Sequence, residues 1–203
     1  MRYIIVGKSP NESFQKIYIH QEDDYLIGLD EGALKIIEKG YKLNEVWGDF
    51  DNKEKLQKIS KYCSNIHLYP TKKNQTDLEL VLMNIKTNNE IVIYDVTGGR
   101  LDHEIINLLL LRKYHNLKLK IRDNYNEIIY LSTKGNYTFS KDEFNYISII
   151  TLDQATISII KGEYLLDKTT ITKNDTYTTS NTFVDEEFSI ELFSGEIFII
   201  KSI

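Results

Sequence analysis

Along the first 123 residues, short runs of β-branched and aromatic residues alternate with stretches in which apolar positions recur every three to four residues. The runs Tyr3 to Val6, Tyr25 to Leu29, Glu45 to Trp47, Ile66 to Tyr69, Ile91 to Tyr94 and Leu117 to Ile121 predict strands. Between them, Asp30 to Lys39 carries Ala33, Leu34, Ile36 and Ile37 at helical spacing and stops at Gly40, a residue free to take the left-handed turn at a helix end. Thr76-Asp77-Leu78-Glu79 has the Thr-x-x-Glu spacing in which two side chains satisfy the free amides of a helix start. A further helix is expected from about Leu101 to Tyr114, with its apolar stretch Ile105 to Leu111 buried. Strand and helix alternating in this way imply an α/β unit, a Rossmann-like, mostly parallel sheet with flanking helices.

Beyond residue 123 the period changes to two, as in Tyr146-Ile147-Ser148-Ile149-Ile150 and Ala155-Thr156-Ile157-Ser158-Ile159, with Gly135, Gly162 and Gly195 near turns. This pattern predicts a small antiparallel β-sandwich or barrel without helices. Residues 1–123 and 124–203 therefore read as two domains.

Composition narrows what those domains can do. The chain of 203 residues has two prolines and ten glycines, which excludes collagen-like and low-complexity classes, and no apolar stretch reaches the ~18 residues of a membrane span. The opening Met1 to Gly7 reads as a first strand rather than a signal peptide. Cys63, the only cysteine, permits no internal disulfide, fits a reducing cytoplasm, and is expected as an inert buried thiol in a helix. Residues 124–203 hold six basic and twelve acidic side chains, so nucleic-acid binding is not expected of them.

In a parallel sheet, ligands bind outside the carboxyl ends of the strands. The residues just after four consecutive predicted strands are Asp30; Gly48-Asp49-Phe50-Asp51; Lys72-Lys73 leading to Thr76-Asp77; and Thr97-Gly98-Gly99-Arg100-Leu101-Asp102-His103. Carboxylates gathered on one rim call for a divalent cation, and all-oxygen ligation is what Mg²⁺ prefers. Asp49 and Asp51, two apart in an extended segment, point the same way; alternatively they form a turn that only caps a helix at Asn52. Gly98-Gly99 can turn successive amides toward an anion, and Arg100 can grip a phosphate; alone, the glycine pair is an ordinary tight turn. A polyanion held by Arg100 and bridged by Mg²⁺ to Asp49 and Asp51 describes a nucleoside triphosphate site. His103 is expected to pack or cap, because neighbouring helical residues such as Asp102 and His103 point about 100° apart. Ser9 marks a loop or a phosphate contact.

Gly48-Asp49-Phe50-Asp51, Lys73-Asn74-Gln75-Thr76-Asp77 with Glu79, and Gly98-Gly99-Arg100-Leu101-Asp102-His103 with Asn107 resemble, in order and spacing, the three signature segments of the thiamine pyrophosphokinase family. Leu29-Asp30-Glu31-Gly32-Ala33 is similar to its Asp-Gly-Gly-Ala stretch and Thr179-Ser180-Asn181 to its Ser-Thr-Ser-Asn segment, so the resemblance spans nearly the whole chain. Two departures are Asn74, where many relatives have aspartate, and Glu31, where the family has glycine.

The resemblance implies a homodimeric, Mg²⁺-dependent transferase that moves the pyrophosphoryl group of ATP to the thiamine hydroxyl. It implies Mg²⁺ on Asp49, Asp51 and Asp77, and ATP near Gly98, Gly99, Arg100, Lys73 and Thr76. Thiamine would lie at the dimer interface, with Asp30 and Asp102 on its side of the rim, Ser180 and Asn181 from the other subunit, and Phe183 either stacking on the ring or packing in the core. Asp77 or Asp102 would orient or deprotonate the hydroxyl, and Arg100 would steady the phosphates. The competing readings are a Mg²⁺-dependent phosphohydrolase of a nucleotide or sugar phosphate, and a non-catalytic nucleotide-sensing module.

Overall fold

A computed structural model describes residues 1–50 and 52–203; Asp51, one of the expected metal ligands, lies outside the described residues. The chain divides into two units, Met1–Asn124 and Tyr125–Ile203.

The first unit contains strands β1 (Tyr3–Val6), β2 (Tyr25–Leu29), β3 (Glu45–Gly48), β4 (Ile66–Leu68), β5 (Glu90–Tyr94) and β6 (Lys118–Arg122), with helices α1 (Ser13–Ile17), α2 (Gly32–Glu38), α3 (Lys53–Ile59), α4 (Asp77–Asn84) and α5 (Leu101–Lys113). Every strand pair among these six is parallel, in the order β6-β5-β1-β2-β3-β4. Chain order therefore reverses between β1 and β5, and the crevice outside their carboxyl ends is where such a sheet offers a ligand site. One face buries Ile4, Val6, Leu26, Val46 and Val92 against Phe14, Ile36 and Ile59 of the helices. Alternate strand residues supply that face because side chains switch sides at every step.

Two local features fix the edges of the crevice. Helix α2 starts so close to β1 that a Cβ on Gly32 would lie 2.1 Å from the carbonyl oxygen of Val6, so only glycine fits there. The neighbouring Glu31, where the family pattern has glycine, pairs with Lys55, and both line the cavity at this crevice. Gly98 takes φ +79°, a conformation that favours glycine, with the side chain of Asn11 against it.

Three expectations are corrected. Helix α5 is not buried along Ile105 to Leu111: Asn107, Leu110 and Leu111 face inward, whereas Ile105, Ile106 and Leu109 are exposed. Leucine and isoleucine at successive positions cannot all share one helical face. Cys63 lies beyond the end of α3 rather than in a helix, with its thiol against the carbonyls of Asn44 and Asn65; burial pushes its pKa up, consistent with an inert thiol. The Thr76 capping box forms by half: Thr76 accepts from the Glu79 amide at 3.2 Å, but the Glu79 carboxylate is taken by Lys113 and Tyr114 after the chain folds back.

The second unit is a two-sheet sandwich. One sheet contains β7 (Asn126–Leu131), β9 (Tyr146–Ile150), β12 (Asn181–Thr182) and β14 (Ile197–Ser202); the other contains β8 (Gly135–Ser140), β10 (Gln154–Lys161), β11 (Leu166–Thr172) and β13 (Glu187–Gly195). All pairs within these two sets are antiparallel, and no helix occurs among the described residues of this unit. Ile147, Ile149, Ile197 and Ile199 of one sheet meet Ala155, Ile157, Phe188, Ile190 and Leu192 of the other, the alternation that two inward-facing sheets require.

A buried carboxylate ties the start of β1 to that of β2. The Asp24 side chain is fully buried and takes Arg2 at 2.9 and 2.7 Å, the Tyr18 hydroxyl at 2.8 Å and the Gln21 amide at 3.0 Å. Burial alone would raise its pKa, but the hydrogen bonds from Arg2, Tyr18 and Gln21 outweigh it and hold the carboxyl below its ordinary value of 3.8. This contribution to stability is complete above that value and is lost as the pH falls below it. Asp24→Asn should cost about 3 kcal/mol in urea unfolding at pH 7, and the gap between variant and wild type should narrow steadily as unfolding is repeated at pH values further and further below 3.8.

Candidate active site

Strand exits on both sides of the β1/β5 crevice deliver charge to one cavity of about 570 Å³. From β1 come Lys8 and Ser9, from β2 Asp30, from β3 Asp49, from the segment after β4 Lys73, Thr76 and Asp77, and from β5 Asp95. The expected Asp30, Asp49, Asp77, Lys73 and Thr76 are thus brought together.

The carboxylates are held apart and together by lysines. Lys73, with a side chain 13% exposed, lies 2.9 Å from Asp77 Oδ1 and 3.8 Å from Asp49 Oδ2. Asp77 Oδ1 is buried, and the Lys73 ammonium beside it is its charge partner without being aligned as a hydrogen bond. Lys8 donates to Asp30 Oδ2 at 2.7 Å. Burial works against the Lys8 ammonium, but the hydrogen bond and charge of Asp30, with the charges of Asp77 and Asp49, raise its pKa above the ordinary value. Four side chains from four separate segments therefore share one electrostatic neighbourhood. Helix capping does not occupy Asp49, because Asn52 does that work, accepting from the amides of Glu54 and Lys55 at 3.0 and 3.1 Å.

Asp95, Lys35 and Lys8 were not among the expected residues. Asp95 is buried, accepts from Lys35 at 2.7 Å and from the Phe14 amide at 3.2 Å, and takes φ +57°. Lys35 also donates to the Ser9 carbonyl at 2.7 Å, so α2, the β1 exit and the β5 exit are locked in one network. The signal for Asp95 was an aspartate directly after an apolar run; the signal for Lys8 was a basic residue directly after the central strand.

His103 is exposed and lines the cavity instead of packing or capping. Its neighbour Asp102 turns the other way and pairs with Arg100 at 2.6 Å, both of them well exposed. Gly98, Gly99, Arg100 and Asp102 do not line the cavity, and the Gly99 amide donates to Glu104 at 2.7 Å. Asn107 reaches back from α5 to the Val96 carbonyl at 2.9 Å and does line it.

In the second unit, Ser180 is exposed at φ +57° and its amide donates to the Ser148 hydroxyl. Asn181 is buried, and its amide group is spent on the backbone of Tyr164, accepting at 3.0 Å and donating at 2.7 Å. Phe183 is half-buried on the sandwich core, edge-on to Phe188 at 6.3 Å.

The family descriptions that match divide the chain similarly: "Thiamin pyrophosphokinase, catalytic domain" covers residues 17–122 and "Thiamin pyrophosphokinase, vitamin B1 binding domain" residues 136–196. A thiamine pyrophosphokinase of Bacillus subtilis is 31% identical over 185 residues, 87% of this chain and 86% of that protein. A crystal structure of the Bacillus subtilis thiamine pyrophosphokinase superposes with a TM-score of 0.86 at 28% identity, covering 100% of this chain and 99% of the other. One of a thiamin pyrophosphokinase family protein from Enterococcus faecalis gives 0.91 at 24% identity over 100% and 99%, a likeness of fold. Sequence and fold agree that the chain belongs to the thiamine pyrophosphokinase family, transferases that make thiamine diphosphate.

Proposed function

We propose that the chain binds ATP and Mg²⁺ at this cavity and transfers the pyrophosphoryl group to the hydroxyl of thiamine. The observation that carries the reading is the Asp49–Lys73–Asp77 arrangement beside Lys8 and Asp30, at the switch point of a parallel sheet. In the transfer, the thiamine oxygen bonds to the β-phosphorus, the bond from that phosphorus to the α-phosphate oxygen breaks, and AMP leaves with the electron pair. The hydroxyl proton passes to a carboxylate of the rim, for which Asp77 is our choice because Asp102 does not line the cavity.

Two carboxylates that share a single lysine as their counter-charge suit Mg²⁺, an ion that takes few protein ligands and completes its shell with water and phosphate. Asp49 and Asp77, with Asp51, would hold it, and it would neutralise charge on the triphosphate. Lys8 and Lys73 sit where they can exchange a carboxylate for a phosphate oxygen, so most of the rate comes from position and field. Thiamine is permanently cationic, and Asp30 offers it a counter-charge. The Gly98-Gly99-Arg100 segment would bind the nucleotide once Glu104 and Asp102 release it.

The reading extends to a homodimer in the cytoplasm. The exposed apolar side chains Ile160, Tyr164 and Leu165 of the second unit support the first, and a single reduced cysteine supports the second. No helix among the described residues is long and apolar enough to cross a membrane.

With ATP, Mg²⁺ and thiamine, formation of thiamine diphosphate should match release of AMP, whereas ATP with Mg²⁺ alone should yield no product. Turnover without thiamine would favour a phosphohydrolase. Asp77→Asn should lower the rate about 10²-fold or more with an unchanged circular dichroism spectrum; normal turnover would remove Asp77 from the machinery. Lys73→Met leaves Asp49 and Asp77 facing each other without their cation. Its melting temperature in chelator should fall and should recover with Mg²⁺ by about 3 °C more than that of wild type. An equal Mg²⁺ response in both proteins would count against a metal at these carboxylates.

A further inference from the structure

The first unit carries a second cavity, of about 420 Å³, that the transferase reading leaves unused. The half-buried rings of Tyr3, Tyr25, His67 and Tyr69 line it, with Trp47 behind them. Trp47 stacks on His67 with centroids 3.9 Å apart and planes at 19°, and on Tyr69 at 5.7 Å and 15°; Tyr3 and Tyr25 lie 5.1 Å apart. Strand pairing places these side chains together: Tyr3 is opposite Tyr25 on β1 and β2, and Trp47 is opposite His67 on β3 and β4.

Among the rings sits one carboxylate. Glu45 Oε1 accepts from the Tyr25 hydroxyl at 2.7 Å and Oε2 from Trp47 Nε1 at 2.8 Å, while His67 Nε2 lies 3.4 Å from Oε2. His67 Nε2 is itself buried without an aligned hydrogen bond. Glu45 Oε1 carries one donor and has capacity for another. Exposed Lys86, just past α4, also lines the cavity.

A wall of aromatic faces selects a flat ring, a fixed carboxylate selects a ring bearing an N–H donor or positive charge, and an ammonium at the periphery selects an anionic tail. The volume falls in the range of small-molecule sites. We propose that this cavity is a second ligand site, for a planar nitrogen heterocycle carrying a phosphate. It stands apart from the carboxylate rim, and the two cavities share no lining residue.

Trp47 is the only tryptophan of the chain and so reports occupancy directly. The test is a fluorescence titration of the full chain with AMP and, in a separate arm, thiamine monophosphate, both repeated in Asp77→Asn, His67→Ala and Lys86→Ala. Saturable quenching is expected in at least one arm, and the arm that quenches identifies the heterocycle. It should weaken at least tenfold in His67→Ala and in Lys86→Ala, and persist in Asp77→Asn. Lys86 is exposed, so that variant keeps the test sound if His67→Ala fails to fold. Quenching by neither compound, quenching lost in Asp77→Asn, or an unchanged midpoint in Lys86→Ala would overturn the proposal. Because Asp77→Asn disables the transferase, failure here and failure of the transferase reading give different results.

Discussion

Carboxylates drawn to one rim repel one another, and this repulsion is the constraint around which the first unit is arranged. Asp30, Asp49, Asp77 and Asp95 arrive from four separate segments, and Lys8, Lys73 and Lys35 meet them at or near hydrogen-bonding distance. These three lysines differ in kind. Lys35 is largely buried and bonded to both Asp95 and a backbone carbonyl, so it acts as a structural clamp. Lys8 is largely exposed, and Lys73, though as buried as Lys35, bonds only carboxylates of the cavity and no backbone carbonyl, so both can take a ligand anion in exchange.

The same rim stores backbone strain. Asp30, Phe50 and Asp95 each follow a strand and each take positive φ, at 50°, 44° and 57°. None is glycine, and such conformations cost of order 1 kcal/mol or more apiece. Each aims the chain back over the ends of the strands, which keeps the carboxylates at the crevice instead of pointing them into solvent. None of the described residues in the six parallel strands beneath takes such a conformation, so in the first unit's sheet it is confined to the strand exits.

Most of the architecture was legible because strand and helix periods are local. Asp30, Asp49 and Asp77 were legible too, since a parallel sheet sends whatever follows each strand toward the same end. What stayed hidden depends on partners distant in sequence. The pairing of Glu79 with Lys113 joins α4 to α5 and breaks a local capping rule. Arg100 is extended as the residue before α5, which lets its side chain reach Asp102 and leaves His103 to face the cavity. The hydrogen bonds that hold the Asn181 amide on the backbone of Tyr164, a contact across 17 residues, left no local trace in the sequence either.

Strand β1 lies at the centre of the parallel sheet, with β2 on one side and β5 on the other. During synthesis the ribosome delivers this strand before either neighbour, and β5 some 85 residues after it, so one edge of the nascent sheet stays open until β5 emerges. A translational pause before that point would therefore leave an unpaired template exposed to other chains.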